Sequence, residues 1–427
     1  LANKKGGMQM KNKLIILISV ILMMVFLALP VFAQPVVVTF WEGMGAKLGT
    51  TLQTITDLFN KQNPDIQVNL VYLGSGNEVD SKLLTALAAN TLPTMAQVKG
   101  PWASMLVSKG VVAPLYEFSN FTEVASAIYP PLLVSGTFNG NIYTLPFNRD
   151  IFDLFLRPQI FEQAGLPYPK TMDEMAQDAK LLTVVQNGKT VRYGLGFRTT
   201  YRQFTAVAYQ FGGSYISPDG KITINSPQNV AALTYLVNLV KAGYAYGKFG
   251  YFDNELTTSS VAMLLGGSAE LTYDLSDIAG QSDGLVMVPI PSDVTFKPML
   301  HGQNIAIFNT ATPEEQQAAW KYLQFLLSPA IQLYWAVQTG YIPVNKQVAE
   351  LPDWKNFVAQ NQNGVSAIMV GLDQSADYAP NLPWWTNARE AIRTAFENAI
   401  HLTMTPQEAL DWAQQQAEQA YASYNAK

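Results

Sequence analysis

The 427-residue chain contains no cysteine. That excludes disulfides, thiolate zinc sites, a cysteine nucleophile and a lipid-modified N-terminal cysteine. Histidine is almost as scarce, with His301 and His401 the two in the chain, so chemistry built on clustered imidazoles has little to work with. Charged residues are few, 14% against 48% hydrophobic, a balance that rules out disorder as the main state. Positive charge is in the minority, 27 Lys and Arg against 32 Asp and Glu, so nucleic acid is not an expected partner. Two common catalytic signatures are missing as well: no H-E-x-x-H or G-x-x-x-x-G-K-[ST] occurs. Gly188-Lys189-Thr190 lacks the upstream glycine and reads as a turn between helix and strand. No cofactor and no metal are expected.

Long hydrophobic runs are absent apart from one. Lys11 and Lys13 precede the apolar stretch Leu14 to Leu29, Pro30 breaks it, and Val31-Phe32-Ala33 offers small residues ahead of Gln34. This is the layout of a secretory signal peptide over residues 1–33, and the stretch is shorter than the ~20 residues of a bilayer span. Leu1 to Gly7 reads as sequence upstream of a true start at Met8 or Met10. Removing the leader takes four lysines and no acid with it, moving the formal charge from −5 to −9. The expectation is a soluble, acidic, periplasmic or secreted monomer.

Beyond the leader, strand-like and helix-like patterns alternate. Val36 to Trp41 and Ile66 to Leu73 read as strands, and Thr50 to Lys61 carries Leu52, Ile55, Leu58 and Phe59 at helical spacing. Val79 to Ala89 is a second helix, followed by the strand Met95 to Val98 and a helix from Pro101 to Ser108. Further on, Phe152 to Leu156, Ala269 to Tyr273, Leu285 to Ile290 and Ile305 to Phe308 read as short strands. Thr171 with Glu174 has capping-box spacing, and Ser226-Pro227 opens a long helix. Helices dominate the last hundred residues. Alternation every ~30 residues predicts an α/β fold with a parallel sheet covered on both faces. With no Pro- or Gly-rich linker, two lobes would be joined by several chain crossings.

Candidate binding residues are mostly aromatic and sit where strands end. Trp41-Glu42 closes the first strand, Trp102 opens a helix, Tyr201 follows another strand, and Trp384-Trp385 follows Pro383. Ligands of open α/β sheets sit at the carboxyl ends of strands, and flat rings suit the C–H face of a sugar. Trp320, Trp335 and Trp412, at helical spacing among Leu and Ala, are assigned to the core. Carboxylate pairs such as Asp150/Asp153 leave a secreted carbohydrate hydrolase open, since two carboxylates across a cleft are what such an enzyme needs.

Two stretches carry a family likeness. Glu315 to Asn345 holds A-A-W-K-Y-L-Q-F-L-L-S-P-A-I-Q-L-Y-W-A-V-Q-T-G-Y-I-P-V-N from Ala318, and Leu145-Pro146-Phe147-Asn148-Arg149-Asp150 leads into Phe161-Glu162-Gln163-Ala164-Gly165-Leu166. Together they resemble the extracellular solute-binding proteins of bacterial ABC importers, the group with maltose-type sugar binders. Phe40 to Gly49, Phe59-Asn60 and Val71 to Gly74 are similar to the glycerol-3-phosphate-binding branch. Ligand positions of that branch diverge: Gly76, Gly100, Arg149-Asp150 and Asn381 stand where it has a tyrosine, a glutamate, a serine pair and an arginine, and Tyr341 matches.

The resemblance implies an α/β, two-lobed periplasmic-binding-protein fold of type II, without enzymatic activity, with a ligand clamped between lobes and a membrane permease as partner. The expected lobes are 34–145 plus 299–343 and 146–298 plus 344–427. The expected ligand is a neutral carbohydrate or polyol, with a glycerol-3-phosphate or glycerophosphodiester as the alternative. Glu42 and Asp150 would accept from hydroxyls, Arg149 would donate, and Trp102, Trp385 and Tyr341 would stack. Trp41, Tyr201, Asp274, His301 and Trp384 complete the expected site.

Overall fold

The computed structural model describes residues 34–270, 284–360, 369–377 and 379–426. Strand β1 (Val36–Glu42) lies between β2 (Ile66–Tyr72) and β3 (Met95–Val98), parallel to both. The intervening helices Ala46–Gln62 and Gly76–Ala89 make these two βαβ crossovers of the kind the alternation predicts. A small hairpin, β4 (Thr137–Phe138) and β5 (Asn141–Ile142), precedes the 13-residue strand β6 (Thr144–Leu156). β7 (Val184–Gln186) and β8 (Lys189–Arg198) form a second hairpin through Asn187 and Gly188, both at positive φ. The predicted helix-to-strand turn at Gly188 is therefore a strand-to-strand turn. β9 (Ala245–Lys248), β10 (Val261–Gly267), β11 (Val286–Val288), β12 (Met299–Ile307) and β13 (Ala376–Asp377) complete the sheet. Ser268–Glu270 is a short 3-10 turn where a strand was expected, and 271–273 lie outside the described residues.

The strand order β2-β1-β3-β12-β6-β10-β8-β7 reveals how the halves are joined. β12 runs antiparallel to β3, with Ala306 opposite Ala96, and antiparallel to β6, with Leu300 opposite Ile151. β6 then continues into the second half, where Leu156 faces Met263 of β10. The sheet is thus parallel toward one edge and antiparallel at its centre. All 13 residues of β6 are buried, including Asn148, Arg149, Asp150 and Asp153. Its register against β12 shifts beside Gln303 and Asn304, a bulge that accommodates Pro146, which has no N–H to give. Gly302, at φ +125, brings the two backbones together there, since a Cβ would strike the Asn148 carbonyl.

Two main cores flank this joint. One gathers Phe40, Leu52, Ile55 and Phe59 with Trp320, Tyr322 and Leu323 of the helix Pro313–Leu326 and Trp335 of the helix Pro329–Thr339. The other packs the helices Tyr201–Gln210, Pro227–Lys241, Trp385–Ile400 and Pro406–Asn425 around β8 and β10. Val344 and Leu372 belong to the first core, and Trp354 packs with Ala336 and Val348 beside it. These contacts hold the segment that follows Val344 against the first core. The cause is local: the helix Pro352–Gln360 rests on Lys346–Glu350 and on the helix before it. No helix among the described residues is long and apolar enough to cross a membrane.

Candidate functional site

A cavity of about 690 Å³ opens between the halves. Asn148 of β6 and His301, Gly302 and Gln303 of β12 line it at the joint. Loops following parallel strands supply much of the rest: Ser75 to Asn77 after β2, Lys99 after β3, Arg198 to Arg202 at the end of β8, and Phe249 and Tyr251 after β9. Strand ends are where an α/β sheet leaves room for a ligand. Arg389, Glu390, Arg393 and Glu397 present one face of the helix Trp385–Ile400, and Tyr341 follows the helix Pro329–Thr339. A second groove, about 610 Å³ around Tyr168, Val288 and Phe296, is lined by the second half alone.

Charge dominates this cleft. Lys99 Nζ lies 2.6 Å from Asp80 Oδ2 and donates to Asn77 Oδ1 at 2.9 Å. Burial pushes the Lys99 ammonium down and the Asp80 carboxyl up, each shift opposed by the other partner's charge. Arg393 is bonded to both Glu390 and Glu397 at 2.6 Å. Arg198 stacks its guanidinium 4.0 Å above the Tyr251 ring, with Glu270 3.9 Å away. His301 Nδ1 is 3.1 Å from Asp150 Oδ1 and 3.1 Å from Arg202 Nη1. Burial, then Arg202, push the His301 pKa down to about 4, leaving the ring neutral at pH 7. Burial pushes Asp150 up, but His301, Arg202 and Arg149 outweigh it and hold the carboxyl below its usual value. With Asp150 ionised, Nδ1 carries the proton and donates to it, and Arg202 lies alongside.

Of the residues expected from sequence, Tyr201, His301 and Tyr341 line the cleft. Tyr341 stacks on Trp335 at 5.8 Å, and the Tyr201 hydroxyl accepts from Trp385 Nε1 at 3.2 Å. The others are placed elsewhere. Arg149 and Asp150 do not form a pair facing one ligand, because neighbours in a strand point to opposite faces. Arg149, 1% exposed, pairs with Asp377 at 2.5 Å and donates to Ser135, whereas Asp150 turns to His301. Trp385 is fully buried in the second core, and Trp384 packs against it and against Tyr421. Trp41 is half-buried against the cluster of Val79, Leu83 and Leu106. Glu42 is buried and accepts from the Met44 N–H at 2.5 Å, with burial pushing its carboxyl up. Trp102 is half-buried outside the cleft lining, and Asp274 lies outside the described residues.

Sequence reasoning missed Arg198, Arg202, Phe249, Tyr251, Gln303 and the Arg389–Glu397 face. One signal was available: Gly247-Lys248-Phe249-Gly250-Tyr251 sets two aromatic residues beside glycines, and both rings are more than half exposed. Gly76 also gains a reason, since a Cβ there would meet the Gln303 side-chain amide. Likewise a Cβ on Gly100 would strike Asn381 Oδ1, so the two departures from the glycerol-3-phosphate branch pack against each other.

The profile of a family described as "Bacterial extracellular solute-binding protein" matches residues 54–361. The chain belongs to that family. This solute-binding protein is 24% identical over 410 residues to the sn-glycerol-3-phosphate-binding periplasmic protein UgpB of Yersinia pestis bv. Antiqua (strain Antiqua), covering 88% of this chain and 90% of that one. UgpB from Mycobacterium tuberculosis, solved with glycerophosphocholine, superposes with a TM-score of 0.80 at 20% identity, over 92% of this chain and 99% of that one. The GacH receptor of Streptomyces glaucescens, solved unliganded and with acarbose, gives 0.79 at 20% identity, over 91% and 99%. These likenesses establish the fold as the two-lobed type II arrangement expected from the sequence.

Proposed function

We propose that this solute-binding protein is the capture component of an ABC importer, taking a carbohydrate or polyol between its lobes and delivering it to a membrane permease. One observation carries the reading: a cleft of about 690 Å³ is lined from both halves, with the joining strands β6 and β12 beside it. A ligand that touches both walls does so fully only when the lobes close. Binding therefore shifts the population toward the closed form, which is the form a permease can distinguish. Exposed Phe249 and Tyr251, with the Tyr341 ring, supply stacking faces for a pyranose. Relatives named for glycerol-3-phosphate and structures solved with acarbose or glycerophosphocholine support this ligand class. We place the handover between lobes near β13, after Leu372, because the first core holds the chain to that point. Export would follow cleavage before Gln34, and the protein would act as a monomer.

Capture without conversion distinguishes this reading from a hydrolase. Among the described residues, Glu390 and Glu397 are the carboxylates lining the cleft, and both are held by Arg393. The test is a thermal-shift screen with maltose, maltotriose, glucose, glycerol 3-phosphate and glycerophosphocholine, followed by chromatography of each stabilising compound. A rise in Tm with the compound recovered intact is the expected result, since a ligand bound by the native state raises stability as RT ln(1 + [L]/Kd). Recovery of cleaved product would move the protein to the hydrolases. No shift with any of the five would remove the carbohydrate and polyol reading.

A further inference from the structure

We propose that the ligand carries a negatively charged group, held between Arg198, Arg202 and the N-terminus of the helix Tyr201–Gln210. This deepens the capture function above and rests on it.

Several hydrogen-bond donors of residues at the cleft wall are left unspent. Lys99 is matched by Asp80, and Arg393 by two glutamates. Arg202 has no carboxylate within 4 Å among the described residues, and Arg198 has Glu270 only at 3.9 Å. Arg198 is nine-tenths buried, and its Nε and Nη1 make no hydrogen bond among the described residues. Gln303 Nε2, also buried and on the same cleft, makes none either. Buried polar groups without partners are rare and call for an explanation. Here they share a chemical sense, because guanidinium and amide N–H groups only donate.

The helix adds to them. Thr200 makes no side-chain cap to the backbone of the helix Tyr201–Gln210, its hydroxyl being engaged with Gln203 Oε1. The first-turn N–H groups are therefore left without a side-chain cap, and Thr200, Tyr201 and Arg202 at that helix end line the cleft beside Arg198. Asp80, Asp150 and Glu270 are not among the lining residues, and the two carboxylates that do line the cleft, Glu390 and Glu397, are both engaged by Arg393. A neutral sugar brings a proton with every hydroxyl and needs acceptors for them. An oxyanion brings acceptors alone, and a guanidinium meets it in a bidentate fork. Tyr251, stacked under Arg198, leaves an aromatic face beside the charge for the uncharged part of the same molecule.

Phosphate ester and uronate carboxylate share this chemistry, and matched probes separate them. Calorimetry would compare glucose 6-phosphate and glucuronate with glucose, and glycerol 3-phosphate with glycerol, on the exported protein. At least one charged member should bind about 100-fold more tightly than its neutral counterpart, weakening as salt is raised. Which charged probe binds assigns the anion. Arg202→Ala and Arg198→Ala should each weaken that probe about ten- to a hundredfold, and Arg202→Lys should restore part of the loss. Because either variant can disturb folding, the matched pairs on the unaltered protein decide the question by themselves. Glucose or glycerol binding as tightly as its charged counterpart overturns the anion and leaves sugar or polyol capture standing. Silence of every probe to about 1 mM overturns both.

Discussion

His301 and Asp153 illustrate how burial acts on single groups in opposite directions. His301 titrates near 4 in the native protein, below the ordinary 6.5, so between these values the unfolded chain takes up a proton that the native state refuses. Stability should therefore fall as pH drops through that window. His301→Gln should reduce the fall in urea-unfolding free energy between pH 6.5 and 4 by about 2 kcal/mol, less than the full shift implies because a fifth of the side chain, 22%, is exposed. An unchanged pH slope would reject a neutral buried imidazole. Asp153 is fully buried, receives the Ile290 N–H at 3.3 Å, and has its other oxygen unpaired. Burial drives its pKa well above 3.8, so the native state keeps a proton that the unfolded chain loses, and stability falls as pH rises. Asp153→Asn should gain about 1–3 kcal/mol at pH 7 and close to nothing at pH 3.5, read by the same denaturation series. At this scale the sequence was legible only in part. The burial of Trp385 was readable, since Ala388, Ile392, Phe396 and Ala399 follow it on one helical face, all buried. Arg198 and Arg202 left no such mark, because the chain that completes their surroundings lies roughly fifty to a hundred residues downstream, at Tyr251, Glu270 and His301.

Among elements, the helices were easiest to foresee because their signals are local. Thr171, Thr312 and Thr405 each form a full capping box with a glutamate three residues on. Thr312→Ala should cost about 1 kcal/mol by urea unfolding, since it frees N–H groups on the helix that carries Trp320 and Tyr322 into the core. β6 was harder. Its first eight residues hold Pro146, Asn148, Arg149 and Asp150, a composition that argues against a buried strand until its partners are known. Those partners are side chains from distant segments: Asn148 accepts from Gln97, Arg149 pairs with Asp377, and Asp150 with His301. Arg149 thus fastens β13 to β6. Arg149→Met should lose about 3–5 kcal/mol, since it strands the Asp377 carboxylate, and adding Asp377→Leu should recover much of it. Weakened ligand binding at unchanged stability would instead return Arg149 to the cleft.

For the molecule as a whole, the consequence of a shared cleft is motion. Adding the ligand should lower the radius of gyration in solution scattering as the lobes close, and binding at constant radius would contradict closure. Tryptophan fluorescence is a poor monitor of that event, because no tryptophan lines the cleft. Tyr251→Trp, placing an indole on the exposed lip, should report ligand directly.

The position of β12 also governs how the chain is made. Ala306 sits opposite Ala96, so the sheet of the first lobe waits for a strand synthesised roughly two hundred residues after β3. Until then, the β3 edge and the residues of β6 facing β12 have no partner. The sheet of the lobe encoded first therefore closes only after β6, β8 and β10 of the second half have been made, and every product truncated before β12 exposes an unpaired edge. A long wait of this kind favours a chain that crosses a membrane before it folds.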